Sequence, residues 1–299
     1  MNPDDPATSG SGKSASPAWL WPLGLVFAGI LAYANSLQGD FVFDDRSGIV
    51  ESLRVRSLWH PARMLLGSSR PLVELTFALN YAVGRLNPWG YHIINLLIHL
   101  AAGLVLYGLG RRTLLTEPLR LQYGSSASPL AFSIALLWLL HPLQTESVTY
   151  ITQRAEALMG FCALFTLYAT CRAATEPAQR RWTALAVTAC ALGMLSKPVI
   201  VVVPLLVLAY DRTFLAGSAH EALRRRRSLY LGLAATWLLL ALVVITMAPE
   251  REVTVGFGVT NFSPWEYATT QPSAILHYFR LAVWPHPLVI LYGWPVARK

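Results

Sequence analysis

The chain has 299 residues, of which 54% are hydrophobic and only 13% charged, with a mean hydropathy of +0.44 and a formal net charge of +8. Apolar residues come in long blocks with the charges confined between them; this excludes a soluble domain, whose core would be written in amphipathic periods, and implies an all-α polytopic membrane protein. The basic excess does not point to nucleic acid, because the cations cluster at the ends of apolar blocks, as in Arg111-Arg112, Arg180-Arg181 and the four arginines at 224–227, where membrane topology accounts for them.

Residues 1–17, rich in Ser, Pro, Gly and Asp, read as a disordered tail. A cleaved signal peptide would begin with positive charge rather than Asp4-Asp5, so the first apolar span is expected to stay as an anchor. The remainder, 18–299, is expected to be one transmembrane domain of about eight spans, over roughly 18–36, 91–110, 128–141, 156–172, 182–196, 198–212, 229–248 and 273–292. Between the first two spans lies a long outer loop, about 37–90. Within it, Arg70 to Leu86 carries apolar residues at 72, 75, 79, 82, 83 and 86, the stripe of an interfacial helix lying on the membrane. The loop also holds six arginines, suited to anionic lipid or to a bound phosphate; plain lipid contact is the simpler reading.

Farther along, the stretch from Trp182 to Tyr210 is interrupted at Lys197-Pro198. Basic loops on both sides of it require an even number of crossings if both are cytoplasmic, which makes two short spans with Lys197 at the opposite face. With a cytoplasmic N-terminus, Lys13, Arg111, Arg112, Arg120, Arg172, Arg180, Arg181, Arg212 and the arginines at 224–227 fall inside. The loops at 142–155, 197 and 249–272 fall outside with only Arg154, Lys197 and Arg251. Cys162, Cys171 and Cys190 lie in or beside apolar segments without metal-ligand spacing and read as small core residues.

Three polar clusters fall on the outer side. Asp44-Asp45, followed by Arg46, stands just beyond the first span, where an interfacial carboxylate can act as a general base on a hydroxyl or share a divalent metal. Taken alone, such a pair is more often a helix cap or a solvated turn. The run His141-Pro142-Leu143-Gln144-Thr145-Glu146, continuing to Arg154 and Glu156, brings polar groups to the same side; the bland alternative is a salt bridge from Arg154 to a nearby acid. At Ser196-Lys197-Pro198 a proline frees backbone groups next to a lone cation, which could meet a phosphate or snorkel to the interface. His92, Asn95 and His99 share a helix face, but Asn is a poor transition-metal ligand, so hydrogen bonding between helices is expected and no metal site. Asn261-Phe262-Ser263 is a formal glycosylation triplet.

The ordered combination Tyr33-Ala34-Asn35-Ser36-Leu37, Phe41-Val42-Phe43-Asp44-Asp45, Arg70-Pro71-Leu72, Gly90-Tyr91-His92 with Asn95-Leu96, His141 to Val148, Arg154-Ala155-Glu156 and Ser196-Lys197-Pro198 resembles the membrane half of the transmembrane and tetratricopeptide-repeat O-mannosyltransferases and their bacterial relatives. The resemblance runs over about residues 30–292. It implies a GT-C-like helical bundle with interfacial helices in its first outer loop. It further implies a sugar carried on a polyprenyl or dolichyl phosphate and transferred with inversion to a hydroxyl of a protein or envelope acceptor. Asp44 would be the base beside Asp45, and Arg46, His141, Glu146, Arg154, Glu156 and Lys197 would bind substrate, in a bacterial inner membrane with the site on the periplasmic face. No nucleic-acid partner is implied; membrane lipids are. Two features depart from the pattern: animal members continue into tetratricopeptide repeats, and they commonly carry an acid where this chain has Pro198. A rival reading, a transporter or flippase, calls for inverted repeats that the chain lacks. Another is a non-catalytic assembly protein.

Overall fold

The computed structural model describes residues 17–56, 58, 68–246, 263–289, 292 and 295. Every regular element among them is helical: α1 Leu20–Tyr33, α2 Pro71–Gly84, α3 Pro88–Leu114, α4 Glu117–Tyr123, α5 Ala127–Leu139, α6 Thr145–Thr149, α7 Arg154–Thr175, α8 Gln179–Met194, α9 Val203–Asp211, α10 Ala219–Arg225, α11 Arg227–Thr246 and α12 Pro264–Val283, linked by short 3₁₀ and π turns. The chain is thus an all-α polytopic membrane protein. Five helical stretches are long and apolar enough to cross a membrane, and a sixth forms if the pair Leu119–Leu139 and Pro142–Thr149, bent by 52°, counts as one. The eight spans read from the sequence differ from this at α8, which has only 16 residues, and at α12.

The predicted interfacial helix is α2, which Pro71 starts at its first position with a preset φ. Val73 and Phe77 face the protein, while Leu75, Leu79 and Val83 of the predicted stripe are exposed and available to lipid. The last helix begins well before the expected 273. Ser263 caps it in a capping box with Glu266, and Pro264 occupies its first turn. That Ser-x-x-Glu signal stands in the sequence and outranks the apolar run. Asn261, half of the glycosylation triplet's meaning, lies outside the described residues.

Helices α7 and α8 form a hairpin whose contact is built of small residues, as close approach in a membrane bundle requires. Cys162, Ala169, Ala186 and Cys190 are buried in it, in keeping with the core reading of the cysteines. A methyl group on Gly193 would overlap the Ile200 side chain. One end of the bundle is tied by charge: Glu176 meets Arg112 at 2.8 Å and Arg172 at 2.7 Å, and buried Asp211 meets Arg226 at 3.0 Å. The opposite end gathers the loop after α1, the turn before α7 and the break after α8. The two ends therefore sort the residues as the charge pattern sorted them.

Candidate active site

After α1 the chain leaves the bundle through a tight approach at Gly39, where a Cβ would lie 3.0 Å from the imidazole of His92. It then turns at Phe43, a non-glycine residue in the left-handed region at φ 44°. Such a conformation persists only where neighbours hold it, and here they can be named. The Asp44 backbone N–H donates to the Tyr150 hydroxyl at 3.0 Å. One carboxylate oxygen of Asp45 accepts from the Val42 N–H at 3.1 Å, and the other from the Thr152 N–H at 2.8 Å.

These contacts separate the two acids. Asp45 is fully buried with both oxygens engaged by backbone, so it belongs to the architecture of the loop rather than to its chemistry. Asp44 is exposed, and its carboxylate has no hydrogen-bond or ion-pair partner among the described residues. With one acid committed to backbone, the pair is a poor donor set for a shared divalent metal. No group of three metal-ligating side chains occurs among the described residues. Arg46 is exposed on the turn that follows.

Arg154 is fully buried, and no acid pairs with it among the described residues. Its Nε donates to Asn95 Oδ1 at 2.7 Å, Nη1 to Asn80 Oδ1 at 2.7 Å and Thr76 Oγ1 at 3.2 Å, and Nη2 to the Tyr91 carbonyl at 3.0 Å. The Phe77 ring lies 4.5 Å from the guanidinium carbon. A buried cation is costly unless its donors are satisfied, and four of the five N–H groups are taken by neutral acceptors. Arg154, expected on the substrate side, thus joins α2, α3 and α7, and the alternative salt bridge to an acid is not formed among the described residues. Asn95 extends the junction, its amide reaching the carbonyls of Val148, Tyr150 and Ile151 at 3.3–3.5 Å. Asn95 and His99 thus make hydrogen bonds between elements, His99 to the Leu139 carbonyl at 2.9 Å.

The remaining cation is placed differently. Lys197 is half-buried and paired with Glu156. Burial, with Arg70 nearby, pushes the Lys197 ammonium below the ordinary lysine range, while Glu146 pulls the other way. Arg70 arrives because the Leu72 N–H donates to the Leu195 carbonyl at 3.1 Å, docking the start of α2 on the end of α8. Glu146 accepts from Gln153 Nε2 at 2.9 Å. It also lines a cavity of about 490 Å³ between α6 and α12, together with Tyr150, His277 and Tyr278. His141 caps the short turn at Pro142–Gln144, its Nδ1 accepting from the Leu143 N–H at 3.2 Å.

Of the expected site residues, Glu156 and Lys197 are in contact, Glu146 acts on Lys197 electrostatically, and Asp44 is tied by its backbone to Tyr150, which shares a cavity wall with Glu146. Asp45 and Arg154 are engaged with backbone and neutral side chains, and His141 caps its own turn. Tyr150, beside Asp44, is not singled out by the sequence, and Arg70, beside Lys197, stands in it only as one of six loop arginines and as part of Arg70-Pro71-Leu72. Tyr150 carries no signal at all, whereas Arg70 could have been singled out as the cation immediately before a helix-starting proline.

Comparison with known proteins supports the family resemblance. The chain is 35% identical over 159 residues to Protein O-mannosyl-transferase F38B6.6 of Caenorhabditis elegans, covering 48% of this chain and 22% of that protein. It is 31% identical over 194 residues to Protein O-mannosyl-transferase TMTC4 of Homo sapiens, covering 56% and 26%. With Protein O-mannosyl-transferase Tmtc2 of Drosophila melanogaster the identity is 26% over 286 residues, 88% of this chain and 29% of that protein. The chain thus spans less than a third of the length of these relatives. No family model and no solved structure matches it.

Proposed function

We propose that the chain is a GT-C-type membrane glycosyltransferase that moves a mannose-like sugar from a polyprenyl or dolichyl phosphate to a hydroxyl of a protein acceptor. The observation that carries the reading is that an exposed carboxylate, Asp44, is pinned through Tyr150 to the same end of the bundle as the cations Lys197 and Arg70. The names of the relatives favour the same chemistry. The positive-inside pattern favours the outer leaflet, periplasmic in a bacterial inner membrane, for that end.

In this mechanism the Asp44 carboxylate takes the proton of the acceptor hydroxyl as its oxygen bonds to the anomeric carbon. The bond from that carbon to the lipid phosphate oxygen breaks, and its electron pair stays on the phosphate. Attack from the face opposite the phosphate inverts the configuration. The leaving group is already an anion, so it needs neighbouring cations more than an acid, and Lys197 and Arg70 supply them. Glu156, in contact with it, orients Lys197.

The test is sugar transfer from polyprenyl-phosphate mannose in proteoliposomes. Asp44→Asn is expected to lose about 10²- to 10⁴-fold in turnover with donor affinity kept. Wild-type rates in that variant would remove Asp44 as the base.

A further inference from the structure

The cavity between α6 and α12 supports an assignment that rests on the transferase reading and goes beyond it. Its volume of about 490 Å³ lies within the ~300–1,000 Å³ typical of ligand sites. Its walls are largely apolar and aromatic, with Leu143, Ala274, Tyr278 and Leu281 among them. Glu146 is the only acid among the described lining residues, and no lysine or arginine is among them. Its titratable side chains besides the tyrosines are Glu146 and His277, whereas the cations Arg70 and Lys197 lie off its lining. The cavity is therefore suited to the partner of the reaction that carries no negative charge. Tyr150, also on the lining, holds the Asp44 N–H and so ties the cavity wall to the loop that carries the base.

We propose that this cavity is the acceptor subsite and takes an extended peptide segment in which the reacting Ser or Thr is flanked by basic rather than acidic residues. The apolar and aromatic walls cover the segment. Glu146 reads the flanking charge, because a Lys or Arg there gains a charge-assisted contact, while a Glu meets repulsion from Glu146. Specificity of this kind comes from the unfavourable pairing as much as from the favourable one.

The test uses the full chain in proteoliposomes with polyprenyl-phosphate mannose and two peptides that differ only in Lys or Glu beside a single Thr. The Lys peptide is expected to show a KM at least tenfold lower, and Glu146→Gln to narrow the gap below threefold. Ala274→Phe, which fills the cavity, is expected to raise the ratio of peptide KM to donor KM at least fivefold. Independently of turnover, a Lys peptide bearing a photoreactive group is expected to crosslink to α6 or α12. Equal KM values for the two peptides, discrimination that survives Glu146→Gln, an unchanged KM ratio or crosslinking confined to other elements would each overturn the assignment. Absence of any donor turnover, to peptide or to water, would instead overturn the transferase reading and this inference with it. Donor turnover that is indifferent to the peptide's flanking charge would overturn the cavity assignment alone.

Discussion

Tyr150 and Asp44, 106 residues apart in sequence, meet in a single hydrogen bond of 3.0 Å from the Asp44 backbone N–H to the phenol oxygen. The bond orients Asp44, an exposed acid of the outer-end loop, while leaving its carboxylate untouched. Tyr150 in turn stays in place because the Asn95 amide reaches its carbonyl and those of Val148 and Ile151.

Tyr150→Phe removes the acceptor and keeps the ring that packs against Phe43. A hydrogen bond of ~1 kcal/mol corresponds to about fivefold in rate. Turnover is expected to fall by roughly that factor with donor KM unchanged, measured by steady-state transfer kinetics. A change confined to donor KM would argue that Tyr150 binds the sugar instead of setting the base.

Asp45→Asn leaves one of two buried backbone N–H groups facing an amide donor, at a cost of ~1–3 kcal/mol. Its thermal unfolding midpoint in detergent should drop. Asp44→Asn, whose carboxylate has no partner among the described residues, should leave that midpoint where it was. The opposite ranking would exchange the roles of the two acids.

Arg154→Lys keeps a cation but loses the planar fork, leaving several of Asn95, Asn80, Thr76 and the Tyr91 carbonyl without their donor. Destabilisation of ~2–4 kcal/mol is expected in denaturant titration. Unaltered stability combined with lost donor affinity would restore Arg154 to phosphate binding.

Lys197 supplies a pH test. Its folded-state pKa is lowered, chiefly by burial, so its positive charge is present at low pH and disappears on raising pH sooner than that of an exposed lysine. Donor affinity should therefore be full below the depressed pKa and decline as pH rises through it. Lys197→Arg should extend binding to higher pH, because a guanidinium does not titrate there. A decline at the same pH in both proteins would assign the titration to another group.

Much of the fold was legible because a bilayer demands long apolar blocks and sorts cations to their ends; both signals are local in the chain. The exceptions are instructive. The capping box at Ser263 and Glu266 moved the last helix earlier than hydropathy placed it. The stripe on α2 was seen, but the buried face through Val73 and Phe77 was not, because one helix can be apolar on two sides. The candidate site was legible as a set of residue types and not as a set of roles.

Sequence by itself determined that this chain crosses a membrane several times and that Asp44, Glu146, Glu156 and Lys197 face one side, since charge and hydropathy are properties of residues and their neighbours along the chain. Only the tertiary structure decided which of Asp44 and Asp45 is exposed, that Arg154 is enclosed by neutral acceptors, and that Tyr150 holds the Asp44 N–H while Arg70 lies near Lys197. Burial and hydrogen-bond partnership depend on segments distant in sequence, and no local pattern encodes which carbonyl or hydroxyl will arrive beside a given side chain.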